Sequence, residues 1–90
     1  MTSREVTIHN ATGLHARPAA EFVTLAKTFV SQVTLQKVGA SRKPVNAKSI
    51  LLVLAEGCGS GTCVEIAADG PDETEAVDRL IRLIESGFNE

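Results

Sequence analysis

The spacing of apolar residues divides the chain into seven segments. Val6 and Ile8 alternate with Glu5, Thr7 and His9, the period of a half-buried strand. Asn10-Ala11-Thr12-Gly13 breaks that pattern. From residue 16 to about residue 29 a helix is predicted: Ala19, Phe22, Val23, Ala26, Phe29 and Val30 share one face, with Glu21 and Lys27 off it. Residues 33–38 read as a second strand, with Thr34 and Gln36 toward water. The turn at 39–44 leads into a short strand at Val45 and Asn46. Residues 50–55 are apolar without a period, which fits a buried strand or a short helix. Asn46 as a cap and the leucines favour the helix. Such a helix cannot hide every face in so small a domain, and exposed apolar patches mark partner sites.

Gly57, Gly59 and Gly61 make a flexible turn before a strand at 62–68, with Val64 and Ile66 on one face and Glu65 on the other. Pro71, Asp72 and Glu73 open a last helix with the stripe Val77, Leu80, Ile81, Leu83 and Ile84. Glu75–Arg79 and Asp78–Arg82 are i,i+4 pairs, and Gly87 is placed to cap the end. The order βαββαβα predicts an α+β fold: one four-stranded antiparallel sheet covered by helices on one side. No repeat or linker interrupts it, so residues 1–90 are expected to form a single domain.

Composition narrows the classes. With no Trp or Tyr and only three Phe, the core must be mostly aliphatic. A net charge of −2 argues against nucleic acid. No apolar run approaches a membrane span and the opening residues carry no secretory h-region, so a cytoplasmic protein without membrane contact is expected. Cys58 and Cys63 are too few for a disulfide framework and lack CxxC spacing. A metal site built from His9, His15, Cys58 and Cys63 has no paired-ligand spacing either. Neither metal nor cofactor is expected. The glycines at 57, 59 and 61 match neither GxGxxG nor a P-loop.

Chemistry concentrates in Gly13-Leu14-His15-Ala16-Arg17-Pro18-Ala19-Ala20. Proline suits a first helical turn, which places His15 at or just before the helix N-terminus. The amides there lack intrahelical partners and, with the helix dipole, favour anions. Arg17 adds a forked cationic donor suited to phosphate. A nucleophilic nitrogen beside an anion site suggests phosphate chemistry on His15.

This stretch resembles the active-site signature of the HPr family, the histidine phosphocarriers of the bacterial phosphotransferase system. The similarity continues in Val45-Asn46-Ala47-Lys48-Ser49-Ile50, in residues 57–61, and in Ile66-Ala67-Ala68-Asp69-Gly70-Pro71-Asp72-Glu73. It implies an open-faced β-sandwich with sheet order 1-4-2-3 and three helices on one face. It also implies a carrier that is not itself an enzyme: Nδ1 of His15 accepts phosphate from phospho-Enzyme I, which draws on phosphoenolpyruvate, and passes it to an EIIA domain for sugar uptake. By position, Arg17 would stabilise the phosphate. Ser49 would be the target of an HPr kinase/phosphorylase, with a transcription regulator as a further partner. Ala20, Thr24, Ile50, Leu51 and Leu54 would form the docking surface of a monomer.

Two departures stand out. The loop at 39–44 is longer than in many HPr proteins, and Glu56 replaces a common apolar residue, which would put a charge at the edge of the docking patch. The ending Glu85-Ser86-Gly87-Phe88-Asn89 is similar to the nitrogen-branch relative NPr, whereas Val-Asn-Ala-Lys-Ser is similar to the sugar branch, so the two point to different partners. The competing reading is a regulatory adapter, of nitrogen-branch or catabolite-repression type, acting through protein contacts. Adapters of the catabolite-repression kind lack the active histidine that this chain has.

Overall fold

The computed structural model describes residues 1–41 and 43–89. Arg42, inside the predicted 39–44 turn, and Glu90 lie outside the described residues. The chain runs through β1 (Thr2–Thr7), α1 (Ala16–Lys27), β2 (Gln32–Lys37), β3 (Val45–Asn46), α2 (Ile50–Glu56), β4 (Cys63–Asp69) and α3 (Glu73–Glu85), closing with a 3-10 turn at Gly87–Asn89. The strands form one sheet of order β1-β4-β2-β3, antiparallel throughout, as expected.

Register sorts the side chains. Val6 faces Val64, Leu35 faces Ile66, and Val33 faces Ala68. Strand alternation puts this set on one side, where it packs with Phe22, Val23, Ala26, Val53, Val77, Leu80, Ile81 and Ile84 from the helices. The other side presents Ser3, Glu5, Thr7, Thr34, Gln36, Cys63, Glu65 and Ala67, with Glu5 directly opposite Glu65. Three helices on one face and a polar sheet face on the other make the open-faced sandwich.

Several boundaries move for local reasons. β1 starts at Thr2 because polar residues occupy its helix side: Thr2 Oγ1 donates to Glu73 at 2.6 Å, and Arg4 reaches Asp78 at 3.8 Å. Ile8, predicted inside the strand, lies just past it and is fully buried. α1 stops at Lys27, where Thr28 Oγ1 donates back to the Leu25 carbonyl at 2.7 Å. Phe29 still enters the core, but Val30, predicted on the same stripe, is 77% exposed.

Residues 50–56 are helical, capped by Ser49 and not by Asn46. Ser49 Oγ accepts from the Leu52 amide at 3.3 Å, while Asn46 sits in β3 and its Oδ1 accepts from the Lys48 amide at 3.0 Å. Gly57, in the left-handed region at φ +64°, ends the helix. In α3 the Asp78–Arg82 pair forms at 2.9 Å, whereas Arg79 lies over the Phe29 ring at 5.8 Å instead of pairing along the helix. Gly87 follows the last turn with φ +72°, the expected cap.

Asp72 anchors α3 to the start of β2. Its carboxylate accepts from the Val30 and Ser31 amides, both at 2.9 Å, and from the Ser31 hydroxyl. These bonds, the Ser31 hydroxyl first, hold its carboxyl below the usual range. Among the described residues no helix is long and apolar enough to cross a membrane.

Candidate functional site

His15 is the N-cap residue of α1, with extended backbone (φ −132°, ψ 159°), an exposed side chain and no side-chain capping bond. Pro18 lies in the first turn, so the sequence placed the imidazole correctly: at the end of a helix of 12 residues, beside amides with no intrahelical acceptor. The backbone changes hand directly afterwards. Ala16 has φ +52°, a left-handed conformation that costs an alanine about 1–2 kcal/mol. The stretch on either side has to hold it there.

On the N-terminal side the support is a braced turn. The Gly13 amide donates to the Asn10 carbonyl at 3.2 Å, and Asn10 Nδ2 donates to the Gly13 carbonyl at 3.0 Å. Gly13 itself has φ +66°. A Cβ there would lie 2.5 Å from the Cys58 carbonyl oxygen and 2.7 Å from Gly59. The Leu14 amide donates to that same Cys58 oxygen at 2.8 Å, and the Leu14 side chain is fully buried. The 57–61 turn, read from sequence as merely flexible, is therefore the shelf on which the His15 segment rests.

On the C-terminal side Arg17 bonds Glu21 at 2.9 Å and the Phe88 carbonyl at 3.0 Å. Phe88 is fully buried, and its turn is steadied by His9, whose Nε2 lies 2.8 Å from the Glu85 carbonyl oxygen. Gly87 suits the turn through its left-handed φ of +72°, and a Cβ there would lie 3.3 Å from Cε1 of the His9 ring. His9, expected to be simply exposed, is exposed but fastens the closing turn beside Arg17. A guanidinium carries five N–H donors, so these bonds need not be surrendered for it to take an anion.

α2 exposes Ile50, Leu51, Leu52 and Leu54, with Leu51 77% exposed. Ala20 and Thr24 are exposed on α1, the helix that packs against α2. The structure thus brings all five predicted surface residues out into solvent and adds Leu52, which sequence left out. Ser49 is half-buried at the start of the same helix. Glu56 corrects an expectation. It is 3% exposed, on the inner side of α2 one turn after Val53, and places no charge at the patch edge.

Asn10 and the Phe88 carbonyl were missed. The turn signal at Asn10 was visible, but not that its amide would bond three residues on. A backbone carbonyl 71 residues from Arg17 leaves no sequence signal. Among the described residues no group of three or more His, Cys, Asp or Glu could hold a metal ion. Cys58 is buried and Cys63 half-buried, and no disulfide joins them.

A family model described as "PTS HPr component phosphorylation site" matches residues 2–86. The phosphocarrier protein HPr of Cupriavidus necator is 46% identical over 90 residues, covering 100% of this chain and 98% of the relative. The HPr-like protein Crh of Halalkalibacterium halodurans is 42% identical over 85 residues, covering 94% and 98%. The crystal structure of HPr from Thermoanaerobacter tengcongensis superposes with a TM-score of 0.93 at 46% identity, covering 100% of this chain and 98% of that one. The sheet order, the helices on one face and matches along the full length agree: the chain belongs to the HPr family of phosphocarrier proteins, carriers within the phosphotransferase system and not enzymes.

Proposed function

We propose that this chain carries a phosphoryl group on His15, taking it from phospho-Enzyme I and giving it to a histidine of an EIIA domain in the cytoplasm. The observation that carries this reading is the exposed N-cap imidazole of α1, uncommitted to capping and beside the first-turn amides. In the transfer, Nδ1 of His15 forms a bond to phosphorus as the donor's bond to the same phosphorus breaks. That bond's electron pair stays with the donor, and the phosphoryl group crosses with its charge. Onward transfer reverses the roles. Such chemistry asks the protein mainly for positioning and charge stabilisation. The α1 amides and Arg17 supply both.

Docking would use Ala20, Thr24, Ile50, Leu51 and Leu54, a small apolar surface suited to brief 1:1 contact by a monomer. Ser49 borders it. A phosphate placed there by an HPr kinase/phosphorylase would put negative charge inside the docking surface and redirect the protein toward a transcription regulator. The similarity to Crh keeps an adapter role as an addition to the relay.

The test is incubation with phosphoenolpyruvate and purified Enzyme I. Wild type should become an acid-labile, base-stable phosphoprotein and His15→Ala should not. Uptake by His15→Ala would overturn the assignment.

A further inference from the structure

We infer that Asn10 is a positioning residue for phosphoryl transfer at His15; this rests on the carrier reading above. Asn10 is 3% exposed, which leaves its side chain almost no surface to offer a partner, and it lies five residues before the imidazole. Its carboxamide donates to the Gly13 carbonyl at 3.0 Å, and the return bond runs from the Gly13 amide to the Asn10 carbonyl at 3.2 Å. The 10–13 turn is closed twice, once through main chain and once through side chain. Nδ2 also lies 3.5 Å from Thr12 Oγ1.

The closure matters because it sets the path of the chain into His15. Gly13 must keep φ +66° with its Cα against the Cys58 and Gly59 backbone, and Leu14 must hand its amide to the Cys58 oxygen at 2.8 Å. Only then does His15 leave Leu14 extended and enter the left-handed Ala16. Gly13 is buried, so its carbonyl has no water to turn to if the carboxamide is removed. Rotation of that peptide unit would carry Leu14 and then the imidazole out of line. A displacement of about 1 Å can cost on the order of a hundredfold in a transfer that depends on alignment.

A residue that aligns the nucleophile without touching the partner should alter the maximal rate and spare half-saturation. The experiment measures phosphoryl uptake from phospho-Enzyme I by wild type, His15→Ala, Asn10→Ala, and Asn10→Asp, which keeps the shape of the amide but loses its donor. Val77→Ala, a core change in α3 remote from the site, reports what lost stability alone does. The expected result is a fall in kcat of about tenfold or more for both Asn10 variants, with KM within about twofold of wild type and Val77→Ala unchanged in kcat. Folded Asn10 variants with wild-type kcat, or with a raised KM alone, would overturn the inference. If wild type took no label, or His15→Ala took it, the carrier reading itself would fail, so the two failures are distinct. Should neither Asn10 variant fold, NMR of wild type decides. Slow exchange of the Asn10 carboxamide protons in both the free and phosphorylated forms supports the positioning role, and fast exchange in either overturns it.

Discussion

Gly13 and Gly57 form a natural control pair. Both hold the left-handed conformation, at φ +66° and +64°. They differ in the space around them. A Cβ on Gly57 would meet nothing within 4 Å, whereas one on Gly13 would lie 2.5 Å from the Cys58 oxygen and 2.7 Å from two Gly59 backbone atoms. Alanine at either site meets the same backbone penalty, about 1 kcal/mol once the loss of glycine's freedom in the unfolded chain is offset against it. Only Gly13→Ala adds overpacking, and against main-chain atoms that cannot swing aside. That contributes about 1–3 kcal/mol more. The expected totals are about 1 kcal/mol for Gly57→Ala and about 2–4 kcal/mol for Gly13→Ala, or Tm falls of about 4–8 °C against about 10 °C or more for a domain this size. The chain has no Trp or Tyr, so urea unfolding is best followed by far-ultraviolet circular dichroism. Equal losses in the two variants would refute the claim that the 57–61 turn is a rigid shelf under the His15 segment.

Three further outcomes are expected. Leu51→Ala should change stability by less than about 0.5 kcal/mol, as exposed sites do, yet raise KM for phosphoryl uptake; Val53→Ala, one face away and fully buried, should cost about 2 kcal/mol in urea unfolding. Glu73 has its carboxyl pulled down to about 2 by the Thr2 hydroxyl first and the Met1 amino group next, so the stability it contributes is present above pH 4.5 and is lost as pH falls from there toward 2. Thr2→Val should shrink that acid loss in unfolding midpoints measured across the same window. Arg17→Lys keeps the charge but not the fork that reaches both Glu21 and the Phe88 carbonyl, and should slow phosphoryl uptake by about tenfold or more while leaving the circular dichroism spectrum unchanged.

Periodicity was readable wherever burial was one-sided and apolar. The stripes of α1 and α3 and the alternation of β2 and β4 are of that kind, and so was the placing of His15 by Pro18. Where polar groups do the packing, the pattern fell silent. Thr2 and Arg4 hold the helix side of β1 through Glu73 and Asp78, which no hydrophobic count detects. Val30 kept the apolar spacing of α1 after the helix had ended, so its side chain turned outward while its amide bonded Asp72. Glu56 read as a surface charge because its type is usually exposed, yet helical spacing from Val53 carries it inward. At the site, the residues of one contiguous string were legible. The supports that arrive from elsewhere, the Cys58 and Phe88 carbonyls, belong to the backbone and have no residue type to read.

The brevity of α2 has a consequence for motion. Seven residues are well short of the ~12–15 that an isolated helix needs to persist in water. What holds this one is a serine at one end, a left-handed glycine at the other, and two buried side chains, Val53 and Glu56. Segments with so few anchors open locally without unfolding the whole domain, so the amides of α2 should exchange with solvent well before those of α1 and α3. The helix that exposes Ile50, Leu51, Leu52 and Leu54 should thus be the most easily reshaped of the three, and in the proposed docking role it would settle differently against each partner while His15 stays at the end of the longer α1.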